Sequence, residues 1–223
     1  MISRIIHLRR PVVLNVQPGV FVPPSATGRM DEVDRRWNAL CEANPAYFDG
    51  RLYHVLGVSR NGHGGATIHV MDCAYRFQAV ENDEFDLGVR GLGVKGITLC
   101  DGRVLMGKRS QHVAFYRGLW EFAPGGVIDI GEQPPEVVKR ELIEETGYRC
   151  EGEPTAIAVI EDSVARCWEI VFRLQASAEP LHEASSEYDE VRWCQPTELP
   201  KPLSPIAAMM SDFVTNTSVR PDV

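Results

Sequence analysis

The chain is predicted to adopt an α/β fold, on three observations. Short runs rich in β-branched and aromatic residues recur along it, bounded by Gly, Pro, Asn and Asp. Two pairs of these runs flank strong hairpin signals, Asn61-Gly62 with Gly64-Gly65, and Asp101-Gly102. Two further segments carry apolar residues at the three- and four-residue spacing of a helix.

The elements follow in order. Residues 2–16 read as extended, with a break at Pro11, and 17–26 as a loop rich in proline and glycine. Met30, Val33, Trp37, Leu40 and Cys41 form one apolar helical stripe, with Thr27 or Asp31 as its cap and Asn44-Pro45 as its end. Leu52–Ser59 and Ala66–Asp72 form a hairpin, and the polar run Glu81-Asn82-Asp83-Glu84 breaks the pattern. A boundary near residue 90 divides an N-terminal extension, 1–90, from a second domain, 91–223. There Val94–Cys100 and Arg103–Arg109 pair through Asp101-Gly102, and Trp120–Ala123 is a short apolar segment before Pro124-Gly125-Gly126. A helix from about Pro135 to Thr146 has proline in its first turn and Gly147 just past its end. Strands fit Thr155–Glu161, Cys167–Gln175 and Glu190–Cys194, and a last helix fits Pro205–Val214.

Composition excludes several classes. The formal net charge is −8 and lysines and arginines form no run, so a nucleic-acid polymer is not the expected partner. A small phosphorylated molecule remains compatible, because a bound cation supplies a local positive field. No apolar stretch approaches the roughly 18–20 residues of a membrane span, and His7, Arg9 and Arg10 interrupt the N-terminal apolar runs, against a signal peptide. A cytoplasmic protein is expected. The six cysteines are scattered without a CxxC pair, which reads as neither a zinc site nor a disulfide framework. Oligomeric state leaves no mark on the sequence.

The chemistry lies between Gly126 and Tyr148, GVIDIGEQPPEVVKRELIEETGY. Residues three and four apart share a helix face, so Glu141, Glu144 and Glu145 fall within an arc of about 100°. Carboxylates crowded in this way repel and call for a counter-charge, and hard oxygen ligands suit Mg2+ or Mn2+. Taken alone, Glu-Glu on a helix is more often a solvated face. Here Arg140 stands beside it, a glycine turn precedes it, and the spacing is that of a longer pattern. Gly126, Glu132, Arg140, Glu141, Leu142, Glu144, Glu145 and Gly147 all match the Nudix box, with Tyr148 an aromatic at a usually aliphatic position.

By these residues the chain resembles the Nudix hydrolases. The resemblance implies an α/β/α sandwich with a mixed sheet, here with an added N-terminal helix and β-hairpin. It implies Mg2+ or Mn2+ held by Glu141, Glu144 and Glu145 with the Gly125 carbonyl. It gives Gly126, Glu132 and Gly147 a supporting role, and has Arg140 orient a carboxylate. The implied reaction is hydrolysis of a diphosphate linkage in a nucleoside diphosphate derivative. For the general base, relatives use a box glutamate or one from a later loop. Glu187 is the leading downstream candidate and Glu161-Asp162 the other, each also readable as a solvated acid, while Glu190 belongs to a strand edge.

Substrate markers are sparser. The NAD(H) pyrophosphatase motif is missing, and the proline common in ADP-ribose pyrophosphatases about sixteen residues past the box glycine is replaced by Ser163. Lys108-Arg109-Ser110, Arg117-Gly118 and Phe122 echo the coenzyme A enzymes, but Ala123 interrupts the match. Trp37, Asn44-Pro45, Tyr47-Phe48-Asp49-Gly50, Leu87-Gly88, Leu92-Gly93-Val94 and Arg109–Ala114 loosely resemble the UDP-glucose/UDP-galactose pyrophosphatases of the family. The expected substrate is a UDP-sugar, or alternatively ADP-ribose or another nucleotide derivative. Phe48, Tyr75, Phe77, Phe115, Tyr116 and Trp120 offer rings for stacking, though each is more often core. Tyr116 and Arg117 are the least core-like and the expected substrate contacts, with His112 a weaker one. Two other classes compete. One is a non-catalytic nucleotide sensor, which has little need of a full glutamate set. The other is a prenyl-diphosphate isomerase, which needs a reactive cysteine, whereas Cys100 and Cys150 lie in no recognisable motif.

Overall fold

The computed structural model describes residues 4–45 and 47–215, so positions 2 and 3 of the expected first strand lie outside the described residues. The chain forms two compact units. One comprises Met1–Gly93, Val127–Glu132 and Val159–Glu169, and the other Val94–Gly126, Gln133–Ala158 and Ile170–Val223.

The first unit begins with β1 (Ile5–His7) and β2 (Val13–Phe21), then a single 3-10 turn at Pro24–Ala26 and helix α1 (Met30–Ala43). After β3 (Arg51–Arg60) and β4 (Ala66–Ala74) comes the short helix α2 (Tyr75–Ala79). β3 and β4 are the expected hairpin, closed by the Asn61 side chain, which accepts from the amides of His63 and Gly65. The expected loop over 17–26 is corrected for its first half. β2 continues to Phe21 and pairs in parallel with β4, making a three-stranded sheet in the order β2-β4-β3. Pro18 and Gly19 are accommodated because β2 is an edge strand whose register slips between Gln17 and Val20, with Gly19 at positive φ.

α1 forms as expected but without its predicted cap. Arg29 holds the cap position with no side-chain bond, and Asp31 lies inside the first turn with Glu32, where acids complement the helix dipole. Its stripe is used: Val33 is fully buried, and Met30, Trp37 and Leu40 pack on a core of Leu52, Cys73, Phe77, Phe85 and Val89. Burying each large apolar side chain contributes roughly 1.5–3 kcal/mol. Glu81, read from sequence as part of a polar break, is a buried carboxylate that accepts from the amides of Leu87 and Val89 at 2.9 Å each.

The chain continues with β5 (Gly91–Cys100), β6 (Arg103–Arg109), β7 (Trp120–Phe122) and β8 (Gly125–Val127). Then come α3 (Pro134–Thr146), β9 (Cys150–Asp162), β10 (Cys167–Ala176), β11 (Tyr188–Cys194), α4 (Pro205–Met210) and α5 (Asp212–Thr215). The eight-stranded sheet has the order β1-β9-β10-β5-β6-β11, with β7 on β6 and β8 on β5. The Asp101-Gly102 hairpin forms with both residues at positive φ. The expected single C-terminal helix breaks at Ser211 into α4 and α5, and Ser204 caps α4 by accepting from the Ala207 amide. The fold is mixed α/β, as expected. Among the described residues no helix is long and apolar enough to cross a membrane.

Candidate active site

α3 carries the three glutamates, and its phase explains their different environments. Val138 and Leu142 are fully buried at the four-residue spacing. Glu145, three residues beyond Leu142, sits at the edge of that apolar stripe and is 3% exposed. The Glu141 side chain is 15% exposed and that of Glu144 57%, so the acidic arc runs from the core to solvent.

Glu145 is held on two sides. Its Oε2 accepts from the Gly125 amide at 3.1 Å and from the Tyr188 hydroxyl at 2.9 Å. Burial is the main force on its proton, with the charge of Glu187 adding to it, and the carboxyl is pushed up to about 8. Burial also raises Glu141, to about 7, against the favourable charge of Arg140 and with the like charges of Glu144 and Glu187. Arg140 stands between two of the acids, its Nη1 2.9 Å from Glu141 and 3.0 Å from Glu144.

The glycines act by what they lack. A Cβ on Gly126 would fall on the Glu141 carboxyl, and one on Gly125 would lie 2.6 Å from Lys95 Nζ. Gly147 ends α3 at φ 77, and a Cβ there would meet the His182 carbonyl. Glu132 is spent in the loop before the helix, where its amide donates to the Asp129 carbonyl and its carboxylate accepts from the Asp129 amide, both at 3.1 Å. Tyr148 packs edge-on against Trp193 and accepts from its indole N–H at 3.0 Å, so the aromatic at that position has a partner.

Glu187 is brought to the glutamate face. Its charge acts on both Glu141 and Glu145, and Arg109 Nη1 holds it at 2.9 Å. The other candidate base is otherwise engaged: Asp162 accepts from the amides of Val164 and Ala165 in a turn. Tyr116 closes a tight loop at φ 61, and the Arg117 Nε donates back to the Val113 carbonyl at 2.7 Å. His112 is exposed, and its amide donates to the Ser110 hydroxyl. Among the described residues no three His, Cys, Asp or Glu side chains stand ready as a cation cage. Arg140 bridges Glu141 and Glu144, and Tyr188 with Gly125 holds Glu145, so protein donors occupy part of the ligand set.

Four residues of this site carried no prediction. Tyr188 precedes a bulge: β11 pairs Tyr188 with Arg109 and Glu190 with Lys108, leaving Asp189 over. That places the Tyr188 ring on Gly107, where a Cβ would come within 2.5 Å of it, and sends its hydroxyl to Glu145. Lys95, Glu121, Arg109 and Glu187 then form a ladder of alternating charge, with Lys95–Glu121 at 3.0 Å and Arg109–Glu121 at 3.7 Å. Glu121, in the middle of Trp-Glu-Phe and 1% exposed, was the available signal: a charge inside a buried apolar strand requires partners.

Comparison with known proteins gives the family. A curated MutT-like protein of Streptomyces ambofaciens is 33% identical over 109 residues, covering 49% of this chain and 66% of that one. A Nudix hydrolase of Salmonella typhi is 32% identical over 101 residues, covering 44% and 53%. The chain thus spans between about half and two thirds of these relatives. A solved MutT Nudix hydrolase of Burkholderia pseudomallei superposes with a TM-score of 0.50 at 28% identity, over 56% of this chain and 97% of that one. The NUDIX domain model matches residues 89–213, more than half of the sequence and the whole of the glutamate helix, and the chain belongs to that family.

Proposed function

We propose that the chain is a divalent-cation-dependent hydrolase that cleaves the diphosphate linkage of a nucleoside diphosphate derivative. One observation carries this reading: a half-buried and a buried glutamate on one turn of α3, Glu141 and Glu145, are pushed up to about 7 and about 8 beside the side-chain-free turn Gly125-Gly126. Such a pair is costly without a counter-charge, and its hard oxygens suit Mg2+ or Mn2+. Glu141, Glu144, Glu145 and the Gly125 carbonyl would hold the cation. Once bound, it would neutralise the diphosphate and lower the pKa of a water.

The protein groups have separate tasks in this reading. Arg140 gives up its bridge and keeps the carboxylates oriented, while Glu132, Gly126 and Gly147 fix the turn and the helix around them. Glu187, tethered by Arg109, receives the proton of the attacking water on its Oε1. Arg117 exchanges its bond to the Val113 carbonyl for a phosphate oxygen, with Tyr116 beside it. UDP-glucose and UDP-galactose are the first substrates to try, and ADP-ribose the alternative. Among the described residues no two cysteines are joined in a disulfide, which fits a reducing compartment such as the cytoplasm.

The test is release of nucleoside monophosphate from a panel of UDP-sugars, ADP-ribose and dinucleotides with Mg2+ or Mn2+. Turnover of at least one compound, lost with a chelator and reduced at least about 100-fold in Glu145→Gln, is expected. A folded Glu145→Gln variant of undiminished rate would overturn the cation assignment. Binding across the panel without turnover would make the protein a nucleotide sensor.

A further inference from the structure

The first compact unit contains a cleft of about 670 Å³, within the roughly 300–1,000 Å³ of small-molecule sites. Tyr47, Phe48, Tyr75, Val127, Asp129 and Ile130 stand on its walls, and all six belong to that unit. Three of them are large hydrophobics left open to solvent: Phe48 at 76%, Val127 at 54% and Ile130 at 39%. Single exposed apolar residues need no explanation, but three converging on one concavity do.

Both walls are tied down. On the aromatic side the Gly50 carbonyl accepts from the Tyr75 amide at 3.0 Å, and Asp49 accepts from the Arg76 amide at 2.9 Å. A Cβ on Gly50 would lie 2.9 Å from the Phe48 ring, so the absence of a side chain there gives the ring its seat. Tyr47 and Tyr75 lie 6.3 Å apart and within 14° of parallel, and Trp37 braces both edge-on. On the other side the Ile128 amide donates to the Leu92 carbonyl at 3.1 Å, and the Gly131 amide to the Tyr53 hydroxyl at 2.9 Å. Between them the Asp129 amide donates to the Glu132 carboxylate at 3.1 Å, which fixes the backbone of an exposed acid.

Charge selects the occupant. The faces of aromatic rings are the negative side of their quadrupole and attract cations. Asp129 adds a full negative charge to the same cleft, and among the described residues no Lys, Arg or His forms an ion pair with it. Arg51, also on the walls, is already paired with Asp72 at 2.7 Å. We propose that this cleft binds a small organic cation whose charge sits among methyl or methylene groups, as in a quaternary ammonium. An anion would meet Asp129 and the ring faces, and a neutral apolar molecule would gain the walls without the charge. The site shares no residue with the glutamate face and does not depend on the proposed reaction.

The experiment is calorimetric titration of the full chain with choline in the presence of a chelator. Beside it runs 3,3-dimethylbutan-1-ol, which has carbon where choline has its charged nitrogen. Saturable choline binding is expected, with the neutral analogue at least about tenfold weaker. Asp129→Asn should remove most of that preference, and Phe48→Ala should weaken choline roughly 2- to 30-fold. Thermal unfolding of both variants should match the parent, because both side chains are exposed. No saturable choline binding, equal binding of the neutral analogue, or parent-like binding by either variant would each overturn the assignment. Light scattering that shows a dimer broken by Phe48→Ala would give the cleft to a second copy of the chain and overturn it as well.

Discussion

Replacing Tyr188 by Phe removes one oxygen from the buried side of the glutamate face and little else. The ring stays on Gly107, and Glu145 Oε2 loses its 2.9 Å donor, keeping only the Gly125 amide at 3.1 Å. A hydrogen bond to an ionised acceptor contributes about 1.5–3 kcal/mol, which converts to roughly one to two pH units on the acid's titration. The Tyr188 bond favours the ionised form of Glu145, whose carboxyl already stands at about 8, so its loss moves the titration further upward. Between about pH 7 and 8 a cation has to displace one proton, so Mn2+ affinity climbs about tenfold per pH unit there, more steeply below pH 7 where Glu141 is protonated too, and then levels off. In the parent the plateau is expected near pH 8. In Tyr188→Phe it moves up by about one to two pH units, and Mn2+ binding at pH 7 weakens roughly 10- to 100-fold. Mn2+ titrations from pH 6 to 9, followed by the paramagnetic signal of the free ion, measure both numbers. Identical binding curves for the two proteins at every pH would refute the idea that Tyr188 holds Glu145 ready for a cation.

Three further outcomes follow from the same geometry. Gly126→Ala sets a Cβ on the Glu141 carboxyl, the movable end of a side chain, so turnover should fall more than tenfold while the melting temperature changes little; a fully active variant would show that Glu141 need not lie there. Gly107→Ala meets the buried Tyr188 ring at 2.5 Å, and such overpacking costs about 1–3 kcal/mol, or several degrees of melting temperature by calorimetry. Glu81, raised by burial to about 7, supports stability that is full below its ordinary value of 4.5 and is lost as pH rises through 7. Glu81→Gln keeps an acceptor for the Leu87 and Val89 amides but cannot titrate, so the stability difference between parent and variant should shift by about 3 kcal/mol between pH 4.5 and 7.5 in urea titrations; a constant difference would contradict the burial argument.

What could be read from the sequence was local. The stripe at Val33 and Trp37, the Asp101-Gly102 turn and the Pro134–Thr146 helix all follow from spacing within a few residues. The parallel pairing of β2 with β4 does not, because it joins positions about fifty residues apart and is tolerated through a slip at Pro18-Gly19 that reads as a loop. Helix α2 escaped for a related reason: five residues are too few to show a period, and Phe77 alone marks its buried side.

The glutamate face shows the same division. Spacing alone put Glu141, Glu144 and Glu145 on one arc, yet it could not say that the arc crosses from core to solvent, which is what makes the three acids unequal. That inequality comes from neighbours supplied by other strands. Tyr188 reaches Glu145 only because β11 bulges at Asp189 over a residue of β6 that has no side chain. Arg109 fixes Glu187 only because Glu121, itself tied to Lys95, fills the buried side of the ladder. A motif confined to one helix therefore names the groups that would meet a cation. Burial does most to raise Glu141 and Glu145, and for Glu145 residues of β5 and β11 adjust it, so variation at Lys95, Gly107 and Tyr188 should tune the pH range of the proposed reaction while the motif stays unchanged.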